Sequence, residues 1–266
     1  MKKKYSLALW GGAARWLTHI WVLKYIEENG IEISEVAWTS IWAIIGAFIA
    51  LWKTSNEIFE IVKNLNFLKL VDLDLKNWVV SWQKIYKKLE DIFWKELIEN
   101  TKIPLKIIST DIDTWEKVVF VKWKIIDAIR ASISLPMVFK YYELWKSRFL
   151  DWWLKSNLPI CDLDWIDIIA VSAIRDKAKK IESSLKFWPF EFKKWFLGNN
   201  YEILKKTITI MMSTNEDLTL EIAKRDWKNV ILLVPDVTWY EYYDFNKIDE
   251  LFKAWYDEAI LKLKNI

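Results

Sequence analysis

Ser40 stands in the stretch EVAWTSIWAIIGAF, residues 35–48, after an apolar strand-like run and before a run that reads as a buried helix. A serine on a strand-to-helix turn is where a hydrolase presents its nucleophile, because the sharp turn lifts the hydroxyl off the backbone. The following helix N-terminus favours the negative charge that develops on an attacked carbonyl. Such a turn calls for small residues two places before and two after the serine. Here Trp38 and Trp42 hold those places, with Thr39 and Ile41 between them and the serine. The plainer reading of Ser40 is a helix N-cap.

A serine nucleophile needs a base. The one histidine, His19, precedes the serine, which excludes the serine–acid–histidine order of an α/β-hydrolase triad. A carboxylate is the natural alternative, and Asp151, ending the strand-like SRFLDWW, is the best placed. With glycine at Trp152 and Trp153 it would open an Asp-Gly-Gly turn, although a lone strand-end aspartate is ordinarily only a turn former. The third part is LWGGAARW, residues 9–16, where Trp10, Gly11, Gly12, Ala13 and Arg15 form a loop feeding a helix. Exposed backbone N–H groups in such a loop can hold an oxyanion or a phosphate. A dinucleotide-binding loop competes, but it wants an acidic residue ending the second strand. This strand ends in Ala37 and Trp38, so the oxyanion role is preferred, by a small margin on the loop alone. Asp72, Asp74, Asp111 and Asp113 lack accompanying His or Cys and read as turn or cap residues, so neither metal nor other cofactor is expected.

The composition carries an anomaly that bears on every part of this site. The 266 residues include 20 tryptophans and only 5 glycines, where an average chain of this length has roughly 19 glycines. The two counts together make an ordinary glycine content for an α/β protein. Many tryptophans also sit among polar turn residues, as in DTWEK at Trp115, VKWK at Trp123 and RDWKN at Trp227. Those are slots for glycine, which reaches positive φ without a Cβ clash. The expectation is that most of these positions are glycine in the source organism, through a code that reads UGA as glycine. Trp188 and Trp195 are the best candidates for genuine tryptophans.

The elements that must position the site alternate between strand and helix, which argues for a layered α/β fold. KYSLALW and ISEVAW read as strands separated by an amphipathic run from Arg15 to Asn29, and Ser40 leads into an apolar helix. Residues 55–69 and 82–100 have helical spacing. PLKIISTDID and KVVFVKWK read as strands, IIDAIRASISLP as a helix, and SRFLDWW as a strand. IDIIAVSAI and NVILLVP are continuous apolar runs typical of strands buried on both faces, and a closing helix starts near Asp249. No linker or repeat divides the chain. One domain is expected, with a hydrolase core over residues 5–165 and its C-terminal part over residues 166–266.

Charge is mixed and nearly balanced at +3, with no basic tract for nucleic acid. A single cysteine, Cys161, fits a reducing compartment. The apolar stretch after MKKKY is too short for a signal peptide, and the run Ile41–Trp52 is too short to span a bilayer. A cytoplasmic protein is expected, with peripheral contact to the inner face of the membrane as an additional reading. The segment KFWPFEFKKWF, residues 186–196, mixes aromatic rings with lysines as interfacial segments do, but is preferred as a partly buried flap.

With glycines restored, the ordered motifs resemble the bacterial patatin-like phospholipases. The match runs through residues 10–16, THIGVL at 18–23, GTSIG at 38–42, STDIDTG at 109–115, ASISLPMVF at 131–139 and DGGLKSNLP at 151–159. The resemblance implies a three-layer α/β fold with a central, mostly parallel sheet flanked by helices. It implies a Ser–Asp dyad in which Ser40 attacks an acyl ester and Asp151 is the general base. Backbone N–H groups near Gly11, Gly12 and Ala13 would hold the oxyanion, with Arg15 supporting the loop and His19 structural. The implied substrate is a phospholipid or another acyl-ester lipid. Two other classes stay open: a catalytically inactive lipid-binding or scaffold protein, and a nucleotide binder using the glycine-rich loop.

Overall fold

The computed structural model describes residues 3–10, 19–65, 72–74, 79–81, 83–134, 140–151, 158–172, 200–234 and 248–266. The chain opens with β1 (Lys4–Trp10), α1 (His19–Glu28) and β2 (Glu32–Thr39). A 3₁₀ turn, Ser40–Trp42, then feeds α2 (Ala43–Ala50), every residue of which is buried. The helix α3 (Ser55–Leu65) follows. Its start is a reciprocal cap, with Thr54 N–H on Glu57 Oε2 and Glu57 N–H on Thr54 Oγ1. Next come the hairpin strands β3 (Asp72–Asp74) and β4 (Val79–Ser81), and α4 (Gln83–Phe93). The middle of the chain holds β5 (Leu105–Asp111), β6 (Lys117–Phe120), α5 (Ile125–Ser132), β7 (Tyr142–Leu144) and β8 (Ser147–Asp151). It ends with β9 (Asp167–Ser172), α6 (Asn200–Arg225), β10 (Asn229–Leu233) and α7 (Ile248–Leu263).

Eight strands make one sheet. Strands β10, β9, β1, β2 and β5 are parallel neighbours in that order, and β6, β8 and β7 add antiparallel pairs beyond them. Because side chains alternate across a strand, the sheet sorts its residues into two apolar layers. Tyr5, Leu7, Leu9, Val36, Trp38 and Ile107 face a core shared with α1, α2, α3, α4, α5 and α7. Ala8, Trp10, Ala37, Ile108, Ile168 and Ala170 face the other side, against the 3₁₀ turn Pro159–Asp162 and Ala223 of α6. Helices on both faces of a mostly parallel sheet are the three-layer α/β arrangement that the strand–helix alternation predicts.

Several elements differ from the sequence reading, which has no counterpart for the short strands β3, β4 and β7. The helix expected over 82–100 stops at Phe93. Leu97 is drawn into a bridge with Lys124, and Ile98 N–H and Ile125 N–H bond Trp123 O and Glu96 O, which pulls the chain out of helical register. The long helix α6 has no counterpart in the sequence reading because its packed face is mixed, with Met212, Leu220 and Ala223 beside Glu216 and Thr219. Ile203, Ile210, Met211 and Leu218 are exposed, while Glu216 and Thr219 are buried. Glu216 is accommodated by accepting the Ser172 hydroxyl at 2.9 Å. The segment 186–196, preferred in the sequence as a flap, lies outside the described residues. No helix among the described residues is long and apolar enough to cross a membrane.

Candidate active site

Strand β5 brings the two candidate catalytic residues together. Ile107 and Ile108 pair with Trp38 and Thr39 of β2 on one edge and with Phe120 and Val119 of β6 on the other. Ser109 and Thr110 continue with Val118 and Lys117 of β6, so their second partners, Asp151 and Leu150 of β8, lie on the edge that β2 has just left. Strands β2 and β8 thus meet end to end along one edge of β5, with Thr39 opposite Ile108 and Asp151 opposite Ser109. Consecutive Cα atoms are about 3.8 Å apart, so the residue before Ser40 and Asp151 occupy neighbouring rungs. The Ser109 hydroxyl secures the junction by donating to Leu150 O at 2.7 Å.

At this junction Ser40 turns into the left-handed region, with φ 68°. Non-glycine residues there are held by their surroundings and concentrate at functional turns. The serine is half-buried and opens the 3₁₀ turn to α2, and Ile41 lies within that turn. Thr39, before it, is fully buried. The two flanking tryptophans are also buried, Trp38 at 0% and Trp42 at 1% exposure. Room for the Trp38 ring exists only because residue 46 is glycine: a Cβ there would lie 2.1 Å from Trp38 Cδ1.

Asp151 is fully buried, and its backbone N–H donates to Ser134 O at 3.0 Å. Trp10, the first residue of the candidate oxyanion loop, is buried at the end of β1, opposite Ser172 of β9. Gly11, Gly12, Ala13 and Arg15, and likewise Trp152 and Trp153 after Asp151, lie outside the described residues. His19, the first residue of α1, is fully buried in an aromatic cage. Its ring meets those of Trp42, Trp255 and Trp38 edge-on, at centroid distances of 4.8, 5.1 and 6.2 Å. Among the described residues neither imidazole nitrogen has a hydrogen-bond partner, and burial pushes its pKa down to about 3. The imidazole is therefore neutral at ordinary pH. Asp111 accepts the N–H groups of Asp113 and Thr114, and Asp113 pairs with Arg148, so both serve the turn after β5.

One residue at the junction had no role in the sequence reading. Ser132, the last residue of α5, is fully buried and accepts the backbone N–H of Ser40 at 2.8 Å. It lies within the motif-bearing run ASISLP, but nothing in residue type or spacing says what a serine there touches.

The family model of the patatin-like phospholipases matches residues 7–164, more than half of the chain and all of this junction. The chain belongs to the patatin-like phospholipase family. Uncharacterized NTE family proteins of Mycobacterium bovis and Mycobacterium tuberculosis are 29% identical over 176 residues, 64% of this chain and 49% of theirs. The neuropathy target esterase sws of Drosophila grimshawi is 32% identical over 140 residues, 49% of this chain and 9% of that protein. The chain thus spans about half the length of the mycobacterial relatives and a small part of the esterase. The crystal structure of VipD from Legionella pneumophila is similar over 98% of this chain and 67% of its own, with a TM-score of 0.61 at 13% identity. That likeness is one of fold. The family model stops at residue 164, before β9, α6, β10 and α7.

Proposed function

We propose that this chain is a bacterial serine acyl-ester hydrolase acting on phospholipids or other acyl-ester lipids, with Ser40 as nucleophile and Asp151 as general base. The observation that carries the reading is the left-handed turn at Ser40, whose preceding residue, Thr39, stands one rung from the buried Asp151. Asp151 takes the proton from Ser40 Oγ as that oxygen bonds to the ester carbonyl carbon. Backbone N–H groups of Gly11, Gly12 and Ala13 hold the resulting oxyanion, with Arg15 supporting the loop. The intermediate collapses by breaking the bond to the alkoxide leaving group, which receives the proton from Asp151. Water then gives a proton to Asp151 as it attacks the acyl-enzyme, and on collapse Asp151 returns that proton to Ser40 Oγ as the bond to the fatty acid breaks. Residues 5–165 form the hydrolase core, and residues 166–266 complete the same domain. The reaction is of the phospholipase A or lysophospholipase type, in the cytoplasm, with peripheral contact at the membrane's inner face.

The same proposal includes glycine at Trp10, Trp38, Trp42, Trp152, Trp153 and the turn tryptophans, through UGA read as glycine. Support comes from the backbone. Seven non-glycine residues among those described have positive φ, and five are tryptophans: Trp52, Trp115, Trp123, Trp145 and Trp227. All five rings are exposed rather than buried in the core, and positive φ is the conformation that suits glycine. With glycine at 38 and 42 the elbow reads G-T-S-I-G, the small-residue turn that Ser40 needs.

A second reading is a catalytically inactive lipid-binding protein of the same fold. Burial of the Trp38 and Trp42 rings beside Ser40 favours it where those rings are native. Hydrolysis of an aryl acyl ester and of phosphatidylcholine vesicles separates the two. Turnover lost in Ser40→Ala and reduced at least about 100-fold in Asp151→Asn supports the hydrolase. Lipid binding without turnover in the native protein supports the second reading.

A further inference from the structure

The β2–β5 ladder has a missing rung, and Ser132 fills it. Val36 N–H bonds Pro104 O at 2.9 Å, and in a parallel ladder the same bond recurs every second residue along both strands. From Val36 the repeat leads through Trp38 to Ser40, whose N–H would bond Ile108 O. Ser40 instead donates to Ser132 Oγ at 2.8 Å, and the Ser132 hydroxyl donates to Ile108 O at 2.6 Å. A hydroxyl is thus inserted between two strands at the point where they separate. It accepts from one backbone and donates to the other, so neither group is left unsatisfied in a buried place.

The insertion coincides with the departure of Ser40 from strand geometry, at φ 68°. A direct Ser40–Ile108 bond would extend β2 by one residue and keep Ser40 in the β region. The same short stretch also holds the other partner. Two residues beyond Ser132, Ser134 O accepts Asp151 N–H at 3.0 Å. Ser134 is itself fixed, its hydroxyl bonding Arg130 O at 2.8 Å and receiving the Arg130 guanidinium at 2.5 Å. Arg130 also reaches Lys140 O at 3.0 Å, on the approach to β7.

We infer that Ser132 is a positioning residue for the nucleophile: its hydroxyl wedges β2 from β5, sets the turn at Ser40, and with Ser134 O fixes Ser40 relative to Asp151. The inference rests on Ser40 being the nucleophile. It goes further in assigning the geometry of the elbow to a side chain from α5 rather than to the small flanking residues alone. Removing the hydroxyl lets Ser40 N–H pair directly with Ile108 O and swings Oγ off its line of attack. Misplacement of a reacting atom by about 1 Å costs on the order of 100-fold in rate.

The test uses the full chain with its native residues at the tryptophan positions, labelled by a fluorophosphonate and assayed on an aryl acyl ester. Ser132→Ala is expected to lower the labelling rate and kcat by about 10- to 100-fold, with KM within about threefold. A purely structural role would lower the melting temperature and leave kcat per folded molecule unchanged. Ser132→Thr and Ser132→Val, equal in size and different in the hydroxyl, repeat the comparison if the alanine variant does not fold. The threonine variant is expected to label about 10-fold or more faster than the valine variant. Equal rates for that pair, or an alanine variant as fast as the parent, overturn the inference while leaving the nucleophile in place. Ser40→Ala separates the two levels: labelling that survives it overturns the nucleophile assignment and the positioning role with it.

Discussion

Five exposed tryptophans with positive φ make a prediction that needs no assay of activity. At Trp52, Trp115, Trp123, Trp145 and Trp227, φ lies between 58° and 105°. A residue with a Cβ in the left-handed region carries roughly 1–2 kcal/mol of strain. Glycine lacks that strain but loses about 0.5–1 kcal/mol more chain entropy on folding than alanine does. Glycine should therefore be more stable than alanine at these five positions by about 0.5–1 kcal/mol each. At exposed Trp94 and Trp165, which are not among the positive-φ residues, the order should reverse by a similar amount. Comparing glycine with alanine at one site cancels the loss of the ring, including the Lys102–Trp52 contact and the Trp123–Asp127 hydrogen bond. Trp123 and Trp145 touch and couple, and the other three sites lie in separate turns, so the five-site difference should approach about 2.5–5 kcal/mol. With a urea slope of ~3 kcal/mol per M, the all-glycine chain unfolds about 1 M later than the all-alanine chain. Equal midpoints, or alanine ahead, would refute the claim that these turns are built for glycine.

Three further outcomes follow from buried groups. His19 holds its proton only below about pH 3 when folded and below about 6.5 when unfolded, so the unfolded chain protonates first as pH falls. Its contribution is complete above pH 6.5 and drains between there and pH 3; acidification from pH 7 to 5 should cost the tryptophan-containing chain about 2 kcal/mol, and His19→Leu should flatten that part of the profile. Gly46→Ala should cost about 2 kcal/mol or more while the Trp38 ring lies against it. In a Trp38→Gly background the same change should stabilise α2 by about 0.5–1 kcal/mol, a reversal of sign that urea unfolding reads directly. Glu35 is buried, accepts the Ser6 hydroxyl and the N–H groups of Asp164 and Trp165, and pairs with Lys106 at 3.1 Å. Glu35→Ala should cost about 1–3 kcal/mol, because the Ser6 hydroxyl and the Asp164 and Trp165 N–H groups lose their acceptor while Lys106 keeps Asp164 at 2.7 Å and Asp162 O at 2.8 Å, and a loss under about 0.5 kcal/mol would show the clamp to be unimportant.

Sequence carried the fold where apolar patterning is strong. The runs that became β9 and β10 are continuously apolar, because these strands have apolar neighbours on both faces. It failed at α6, where Ile203, Ile210 and Leu218 are exposed and Glu216 is buried beside Met212, Leu220 and Ala223, which blurs the helical pattern. It overran α4, where a bridge between Leu97 and Lys124 settles the end of the helix. Ser40 was legible because strand, serine and helix are consecutive in the chain. Asp151 was legible from the residues as a strand-end carboxylate, and as a partner of Ser40 only through the family resemblance. Their neighbourhood depends on β2 and β8 sharing one edge of β5, a fact of pairing across more than a hundred residues. Ser132 was silent for the same reason: its role lies in a hydrogen bond spanning 92 positions.

The most direct test labels the source organism's own protein with a fluorophosphonate, digests it with trypsin, and weighs the peptide from Tyr25 to Lys53. That mass reports the residues at 38, 42 and 52 and the presence of an adduct, and fragmentation of the peptide places the adduct on Ser40 as against Ser34 or Thr39. A peptide lighter by three tryptophan-to-glycine differences and heavier by one phosphonyl group, with the adduct on Ser40, is the predicted result. An unlabelled peptide that weighs as three tryptophans would contradict both the glycine elbow and the nucleophile.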